Sequence, residues 1–494
     1  GEGTMSMRDD HDPDGLRLPI KIDTTSNGEF LPIPLSQANR LGNRTALTSA
    51  TENARRLARN RRQFLMSACG AATTLLAMNQ ANAAAGKLGG YFAVPEDAAF
   101  DGDLAQASLG GEEFIFDVQG HYVDPNGKWL EQIPDFARPF SGMPKADCEV
   151  DADGGTRAYL ECLGPEEFVK DVFMDSDTDM MVLSFVPSAP DAEPVTIEAA
   201  DAVRQIVDEM EGTHRLMLHG RVNPNQAGDI ERMESLARDW GVSAWKTYTQ
   251  FGPGGGYWLT DDEGLAMIER ARDLGVKVIC IHKGLPLARE GYEYSTCRDI
   301  GAAAKQFPDV TFIVYHSGYV AGKPEAPFAR GAGRDGIDTL IQSLADHDLG
   351  PGSNVYAELG STWRFLMREP DHAAHALGKL LKYVGEDNVL WGTDSIWYGS
   401  PQDQIQAFRA FQIAEPLREA HGYPEITPEI RAKVFGLNAT KPYGIRAEEV
   451  KLRAGADKIS HARAEYGERR NPSYATHGPK TRREFFNLLR SGAA

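Results

Sequence analysis

The chain has 494 residues, of which 25% are charged and 41% hydrophobic, and its formal net charge is −19. This composition is typical of a soluble globular protein, and the length allows one large domain with extensions or two to three domains. The acidic balance argues against nucleic acid as a partner, because binding to phosphates needs clustered Lys and Arg. The five cysteines are scattered without a paired spacing and are predicted to be free thiols.

The N-terminal region divides into two segments. Residues 1–60 are polar and lack a sustained apolar periodicity, which predicts a disordered or extended arm. Residues 61–87 begin with Arg61-Arg62, continue with a short apolar run and end in Ala81–Ala84, a pattern that resembles a twin-arginine export signal. The pattern predicts a periplasmic protein. The alternative is an apolar helix that packs on a neighbouring subunit of a cytoplasmic protein.

The apolar run within residues 61–87 is shorter than the roughly 20 residues that a membrane-spanning helix needs, so no integral membrane span is predicted. Residues 88–112 are predicted to be a linker.

From residue 113 onward, short apolar runs rich in β-forming residues recur, after the second run at intervals of about 29 to 44 residues, with helix-period stretches between them. Strands that alternate with helices predict parallel βα units, and continuous apolar strands indicate a sheet buried on both faces. Eight such units predict a (β/α)8 TIM-type barrel over residues 113–445. The runs are Phe114–Phe116, Met180–Phe185, Arg215–Leu218, Ala244–Tyr248, Lys277–Ile281, Thr311–Tyr315, Val355–Leu359 and Val389–Trp391.

Two further segments flank or interrupt the predicted barrel. Residues 122–179 form the longest insertion and are predicted to be a loop subdomain over the barrel mouth. Residues 446–494 are predicted to be a C-terminal helical extension, because Thr481 is a helix-capping residue and the Phe and Leu residues after it leave an apolar face. That face predicts an oligomer, built either from identical chains or with a paralogous partner subunit.

Polar side chains follow most of the predicted strands, at the end where barrel enzymes carry their chemistry. Asp117, Gln119 and His121 alternate, so in a regular strand they would share one face. One histidine at a strand end is usually a structural group, but imidazoles and a carboxylate that converge on a barrel axis form the ligand set that a divalent metal needs. The strand ends carry Gln119, His121, His219, Arg221, Lys246, His282, His316, Glu358 and Asp394.

These residues resemble those of the amidohydrolase superfamily, and within it the branch that includes aminocarboxymuconate-semialdehyde decarboxylase. The resemblance covers residues 113 to about 445. It rests on Asp117-x-Gln119-x-His121, on Ile279-Cys280-Ile281-His282, on Val314-Tyr315-His316-Ser317-Gly318 and on Leu390-Trp391-Gly392-Thr393-Asp394.

The resemblance implies a divalent metal cofactor, zinc, manganese or iron, held by His121, His282 and Asp394. It implies that His316 is an acid–base group or an additional ligand. Lys246 matches a position where some relatives carry a carbamylated lysine that bridges two metals, and it would otherwise be a cation that orients a substrate carboxylate.

The chain departs from this family at Gln119, where a histidine is usual. An amide oxygen is a weaker donor to zinc than imidazole and is acceptable to harder cations. If Gln119 binds, it joins the metal ligands. If it does not, the remaining two histidines and one carboxylate form a set that non-haem iron also uses. Glu358 offers a carboxylate for a second metal position.

The leading functional prediction is a metal-dependent hydrolase that acts on a small organic substrate through a metal-activated water, with His316 or Asp394 as the catalytic proton acceptor. The alternatives are a non-oxidative decarboxylase of an aromatic carboxylic acid, a non-haem metal oxygenase on the same scaffold, and a catalytically lapsed partner subunit. The sequence does not identify the substrate. The predicted substrate-binding residues are Arg221, Lys246, Tyr319 and Glu358.

Overall fold

The computed structural model describes residues 11–132, 162–209, 214–287 and 289–486. Most of the insertion that was predicted to cover the barrel mouth lies outside the described residues.

Eight parallel strands form a barrel at the centre of the protein. They are hydrogen-bonded in chain order from β2 (Phe116–Gly120) to β9 (Val389–Leu390). The segment that follows the last strand meets the first strand through a bridge between Ser395 and Gly120. The predicted (β/α)8 fold is therefore confirmed. The strands are β1 (Gly90–Phe92), β2 (Phe116–Gly120), β3 (Met180–Leu183), β4 (Leu216–Arg221), β5 (Ala244–Tyr248), β6 (Val278–His282), β7 (Thr311–Tyr315), β8 (Val355–Glu358), β9 (Val389–Leu390) and β10 (Phe411–Ile413).

Helices surround the barrel, and a two-stranded antiparallel sheet of β1 and β10 lies outside it. The helices are α1 (Gln37–Arg56), α2 (Arg61–Leu65), α3 (Ala68–Ala84), α4 (Gly102–Leu109), α5 (Pro165–Val169), α6 (Ile197–Glu209), α7 (Asp229–Arg238), α8 (Asp262–Leu274), α9 (Ile300–Gln306), α10 (Ile337–Asp346), α11 (Thr362–Leu366), α12 (Pro370–Lys379), α13 (Gln402–Ala410), α14 (Glu415–His421), α15 (Pro428–Ala432), α16 (Asn438–Tyr443), α17 (Ala447–Ala454) and α18 (Lys458–Gly467).

Alternation along the strands separates two apolar cores. Val118, Val182 and Ile313 belong to one cluster, together with the other side chains that fill the barrel. Met181 and Val314, their chain neighbours, belong to the larger cluster between the strands and the helices. Because successive strand residues point to opposite faces, the residues that continue the inner row at the carboxyl ends of the strands reach the barrel mouth.

The N-terminal region differs from the disordered or extended arm predicted over residues 1–60. Helix α1 occupies Gln37–Arg56 and begins with a capping box between Ser36 and Asn39. Its buried face consists of small residues, among them Ala46 and Ala50, and it packs against α3. Because alanine is only weakly apolar, its regular spacing along α1 does not stand out as the apolar face of a helix in this polar sequence. Residues 11–35, here called the N-terminal arm, precede this helix.

The segment predicted to be an export signal forms α2 and α3. Eleven of the seventeen residues of α3 are buried, so this helix is part of the core of the chain. A role of residues 61–87 in export stays a prediction, as does a contact with a neighbouring subunit. Among the described residues, none of the helices has the length and apolar character required to cross a membrane.

The C-terminal segment returns to the N-terminal arm. The amide of Ser26 donates to the carbonyl of Pro479 at 2.9 Å, and the hydroxyls of Thr25 and Thr476 lie 2.5 Å apart. Thr481 caps its turn as predicted, because its hydroxyl accepts from the amide of Glu484 at 3.2 Å.

One prediction about the cysteines is wrong. Cys162 is disulfide-bonded, a pairing of which the scattered spacing gives no sign. Cys69, Cys280 and Cys297 are free and buried, as predicted.

Candidate metal centre

Four of the predicted site residues meet at the barrel mouth. His121 Nε2 lies 3.0 Å from Asp394 Oδ1, and His282 Nδ1 lies 3.2 Å from His316 Nε2. All four side chains are buried. The backbone of His316 and of Asp394 is left-handed, with φ values of 66° and 61°. Such conformations cost stability in residues other than glycine and persist where the surrounding structure imposes them, often at functional sites.

The outer nitrogens of the histidines contact backbone carbonyls. His316 Nδ1 lies 2.6 Å from the carbonyl oxygen of Gly360, and His282 Nε2 lies 3.1 Å from that of Leu285. Because a carbonyl oxygen only accepts, these nitrogens carry the protons. In the neutral rings, His282 Nδ1 and His316 Nε2 therefore face each other with lone pairs. His121 likewise hydrogen-bonds the backbone of Ser184.

Burial keeps the three imidazoles neutral near pH 7. It lowers the pKa of His282 well below its ordinary value and that of His316 to about 4, and it also lowers the pKa of His121. Neutral imidazoles whose outer N–H groups are held by carbonyls are what a metal needs as ligands.

Asp394 is held on both carboxylate oxygens. Its Oδ1 faces His121, and its Oδ2 accepts from the hydroxyl of Ser361 at 2.5 Å and from Asn27 Nδ2 at 3.2 Å. Burial alone would raise the pKa of Asp394, but the contacts with His121 and with Ser361 bring it well below its usual range. Asp394 is therefore an ionised ligand candidate.

The side-chain oxygen of Gln119 is hydrogen-bonded to Lys246. Lys246 Nζ donates to Gln119 Oε1 at 3.1 Å, and the same ammonium lies 3.7 Å from the centre of the Tyr315 ring. Burial lowers the pKa of Lys246 to about 8. The Gln119 amide nitrogen is buried and has no hydrogen-bond partner among the described residues.

Glu358 supports the loop that carries His316. Its carboxylate accepts from the backbone amides of His316, at 3.0 Å, and of Gly360. Glycine at positions 360 and 392 leaves room for the Glu358 carboxylate, with which a Cβ at either position would collide. Burial raises the pKa of Glu358 to about 8.

The alternation of residues 117, 119 and 121 does not place three side chains on one face as expected. The register of β2 shifts between Asp117 and Gly120. Asp117 instead accepts from the amide of Thr393 at 3.1 Å and from its hydroxyl, and so connects β2 to the residues that follow β9. A bulge of this kind re-aims the residues after it.

Two of the predicted substrate-binding residues, Arg221 and Tyr319, also contact neighbouring elements. The guanidinium of Arg221 binds Glu193 at 3.3 Å and Asp229 at 3.0 Å, both of them buried. Tyr319 connects two loops through its backbone, since its carbonyl accepts from the amide of Leu285 at 2.8 Å. The position of a residue at a strand end predicts which mouth of the barrel it reaches. It does not predict which residues of other elements that residue will contact.

Glu29 is a residue of the mouth that was not predicted. The N-terminal arm brings its carboxylate to 3.8 Å from His282 Nδ1 and 3.9 Å from His316 Nε2. Asn27 Nδ2 donates to Glu29 Oε2 at 2.8 Å as well as to Asp394. Burial, together with the nearby Asp394, raises the pKa of Glu29 to about 8. A carboxylate in a polar arm gives no sequence signal of this position.

The mouth fits a divalent cation. One donor atom each of Glu29, His282 and His316 lies within 4.8 Å of the others. Two donors that bind one tetrahedral ion at ~2.1 Å are roughly 3.4 Å apart, which is close to the separations seen here. His121 and Asp394 form an adjoining pair at similar range. The imidazoles offer lone pairs and the carboxylates offer charge, so this donor set suits zinc, manganese or iron.

The eight-stranded barrel, with histidines and a carboxylate at the carboxyl ends of its strands, defines the class as a TIM-barrel enzyme with a candidate metal site. Residues 116–445 match the family model described as Amidohydrolase. The chain belongs to the amidohydrolase family.

Several solved structures are similar in fold. An uncharacterised TIM-barrel protein from Bordetella bronchiseptica is 15% identical, with 69% of this chain and 100% of that one covered, at a TM-score of 0.40. The 2,6-dihydroxybenzoate decarboxylase from Rhizobium is 16% identical, with 67% of this chain and 99% of that one covered, at a TM-score of 0.40. An amidohydrolase from Mycobacterium avium subsp. paratuberculosis is 16% identical, with 68% of this chain and 99% of that one covered, at a TM-score of 0.38. None of the curated proteins matches the sequence.

Proposed function

We propose that the protein is a metal-dependent hydrolase of a small organic substrate. The observation that carries this proposal is the set of donors at the mouth of an amidohydrolase barrel: one donor atom each of Glu29, His282 and His316 within 4.8 Å of the others, and the adjoining pair of His121 and Asp394. In this proposal His121, His282 and Asp394 would hold the ion. When bound, a divalent ion supplies Lewis acidity and lowers the pKa of a coordinated water towards neutrality.

His316 is placed to move a proton. Its Nδ1–H is fixed on the Gly360 carbonyl, so its Nε2 carries a lone pair towards the mouth. The ring is neutral near pH 7 and can accept a proton from an attacking water and return it to a leaving group. Asp394 stays ionised and can share that proton.

Gln119 and Lys246 act as a unit in this proposal. Lys246 fixes the amide by binding its oxygen, and the unpartnered Nε2–H2 group is left to donate to a substrate oxygen. A buried donor without a partner is costly, and a bound substrate would satisfy it. Glu358 holds the His316 loop in place and need not touch substrate.

The test measures turnover of a panel of esters, lactones and amides by the enzyme after chelation and after reloading with zinc, manganese or iron. We expect hydrolysis by a reloaded form, with one heavy oxygen atom incorporated into the acid product from labelled water. His316→Gln, assayed after saturation with metal, should reduce kcat by about 10²–10⁴-fold. Turnover that survives complete chelation would contradict the proposal.

A second candidate, decarboxylation of an aromatic acid, is favoured by the aromatic rings beside the histidines. Tyr248 stacks on His282 at 4.6 Å and Trp397 on His121 at 5.3 Å, measured between ring centres. Such rings suit a flat substrate. Release of carbon dioxide from hydroxybenzoates, without incorporation of oxygen from labelled water, would identify this reaction instead.

A further inference from the structure

Glu29 enters the barrel mouth from outside the barrel, on a turn that is built to hold it. The hydroxyl of Ser26 accepts from the amide of Gly28 at 3.0 Å and donates to the carbonyl of Phe30 at 2.5 Å. Gly28 has a φ of 96°, a conformation that favours glycine. The amide of Glu29 donates to Asn27 Oδ1 at 2.9 Å. The turn therefore fixes the direction of the Glu29 side chain.

The turn is fastened on both sides. Phe30 is buried, and its ring meets that of Phe365 edge-on at 4.6 Å between centres. Asp23 pairs with the buried Arg364 at 2.9 Å. Ser26 hydrogen-bonds the carbonyl of Pro479, as described above. The position of Glu29 is thus specified by contacts with α11, the helix that follows β8, and with the C-terminal segment.

The chemistry around Glu29 calls for a cation. His282 Nδ1 and His316 Nε2 face each other with lone pairs, and the Glu29 carboxylate lies beside both. Asn27 connects Glu29 to the Asp394 carboxylate. Acceptors brought this close in a buried site repel one another unless a proton or a metal ion lies between them.

The position on β2 that would otherwise supply another ligand is already engaged. The Gln119 oxygen, the metal-binding atom of that side chain, accepts from Lys246. A ligand from elsewhere in the chain can therefore complete the set, and the Glu29 carboxylate is the acceptor that the arm delivers.

We propose that Glu29 is a metal ligand supplied by the N-terminal arm, in place of the β2 ligand that Gln119 does not provide. The arm is then part of the metal centre. This inference rests on the proposed metal-dependent function and adds to it a ligand from outside the barrel.

The test compares the wild-type chain with Glu29→Gln and with Glu52→Gln, a control at an exposed position on α1. Zinc and cobalt affinities are measured by competition with a chromogenic chelator, and the visible absorption of the cobalt-loaded protein is recorded. We expect Glu29→Gln to bind both ions at least tenfold more weakly, a loss of the order seen when a metal site is perturbed, and to show a changed cobalt spectrum. Glu52→Gln should match the wild type.

Thermal unfolding of the metal-free proteins separates folding from binding. If Glu29→Gln is too unstable to assay, Glu29→Asp retains a carboxylate on a shorter side chain and should bind with intermediate affinity. Equal affinities and identical cobalt spectra for wild type and Glu29→Gln would overturn the inference while leaving the proposed function intact. So would unchanged affinity with raised turnover, which would make Glu29 a blocking group. A wild-type chain that binds neither ion would refute both proposals.

Discussion

At the scale of single residues, Gln119 shows how a departure from a family pattern acquires a physical meaning. The sequence indicates only that a weaker donor replaces an imidazole. The structure adds that the amide oxygen accepts from Lys246, a buried cation whose other close neighbour is the face of the Tyr315 ring. Gln119 therefore solvates a charge, which is a structural task that spacing along the strand could not reveal.

This account predicts that Gln119→Ala lowers the free energy of unfolding by about 1–3 kcal/mol, because it leaves a buried ammonium without its acceptor. Gln119→Glu keeps an acceptor and should be less destabilising. Urea unfolding measures both. Metal content at saturating zinc should remain that of the wild type in Gln119→Ala, and loss of metal as complete as in His121→Ala would show that the glutamine is a ligand after all.

At the scale of elements, the packing of the N-terminal arm on the barrel could not be predicted from the sequence. Its contacts with the barrel are made by single side chains that meet residues more than 300 positions away, such as Phe30 with Phe365, and local periodicity carries no trace of them. The barrel strands, in contrast, can be predicted from apolar runs in the sequence. Two strands end several residues later than the apolar runs predict. β2 spans Phe116–Gly120 instead of Phe114–Phe116, and β4 spans Leu216–Arg221 instead of Arg215–Leu218, because both continue through polar residues near the mouth.

The contact of the arm with the barrel can be tested through Phe30. Phe30→Ala should lower the free energy of unfolding by about 3 kcal/mol, since it empties a buried aromatic site. It should also expose residues 11–35 to limited proteolysis. Leu16→Ala, a control in the same arm at a side chain that is 58% exposed, should do neither. An arm that remains protected in Phe30→Ala would contradict this description of its attachment.

The packing of α18 against the rest of the chain predicts a pH dependence. Burial alone would raise the pKa of Asp177, but the guanidinium groups of Arg409 and Arg463 lower it to about 2. A carboxyl group whose pKa is lower in the folded state than its ordinary value stabilises the fold above that ordinary value, near pH 4. The contribution disappears as the pH falls from about 4 to about 2.

Asp177→Asn should therefore be less stable than the wild type by about 1–2 kcal/mol at pH 7, a figure reduced because the side chain is 29% exposed. The difference should shrink as the pH falls towards 2. Denaturant unfolding across this range measures it, with Asp273→Asn at an exposed position as the control. A difference that is constant with pH would refute the assignment to this ion pair.

At the scale of the whole molecule, the barrel and the converging residues at its mouth were predictable, because both follow from period and topology. His121, His282, His316 and Asp394 lie at the ends of different strands, and closure of the barrel alone brings them together. Arg221 obeys the same rule, and it forms ion pairs with Glu193, from the loop after β3, and with Asp229, the first residue of α7. Topology predicts which mouth a residue reaches, whereas side chains from the loops and the arm decide what it meets there.

The helical segment of residues 61–84 is part of the core of the chain. Its buried residues contribute to the core, so removal of this segment from the mature protein would expose the surfaces on which α3 packs. Export directed by this segment, and the periplasmic location that it implies, stay predictions. They can be tested by fractionation of cells that express the wild-type chain and an Arg61→Lys, Arg62→Lys variant.

The central claim is that His121, His282 and Asp394 form a metal centre, and elemental analysis tests it most directly. Metal per chain is measured for wild type, His282→Ala, Asp394→Asn and His375→Ala, each purified without added metal. His375 is a control histidine away from the mouth, where its Nδ1 lies 2.9 Å from the hydroxyl of Tyr423. We predict about one equivalent of zinc, manganese or iron in wild type and in His375→Ala, and almost none in the other two, because each loses one of few ligands. Metal retained by His282→Ala and Asp394→Asn at the level of the control would contradict the account.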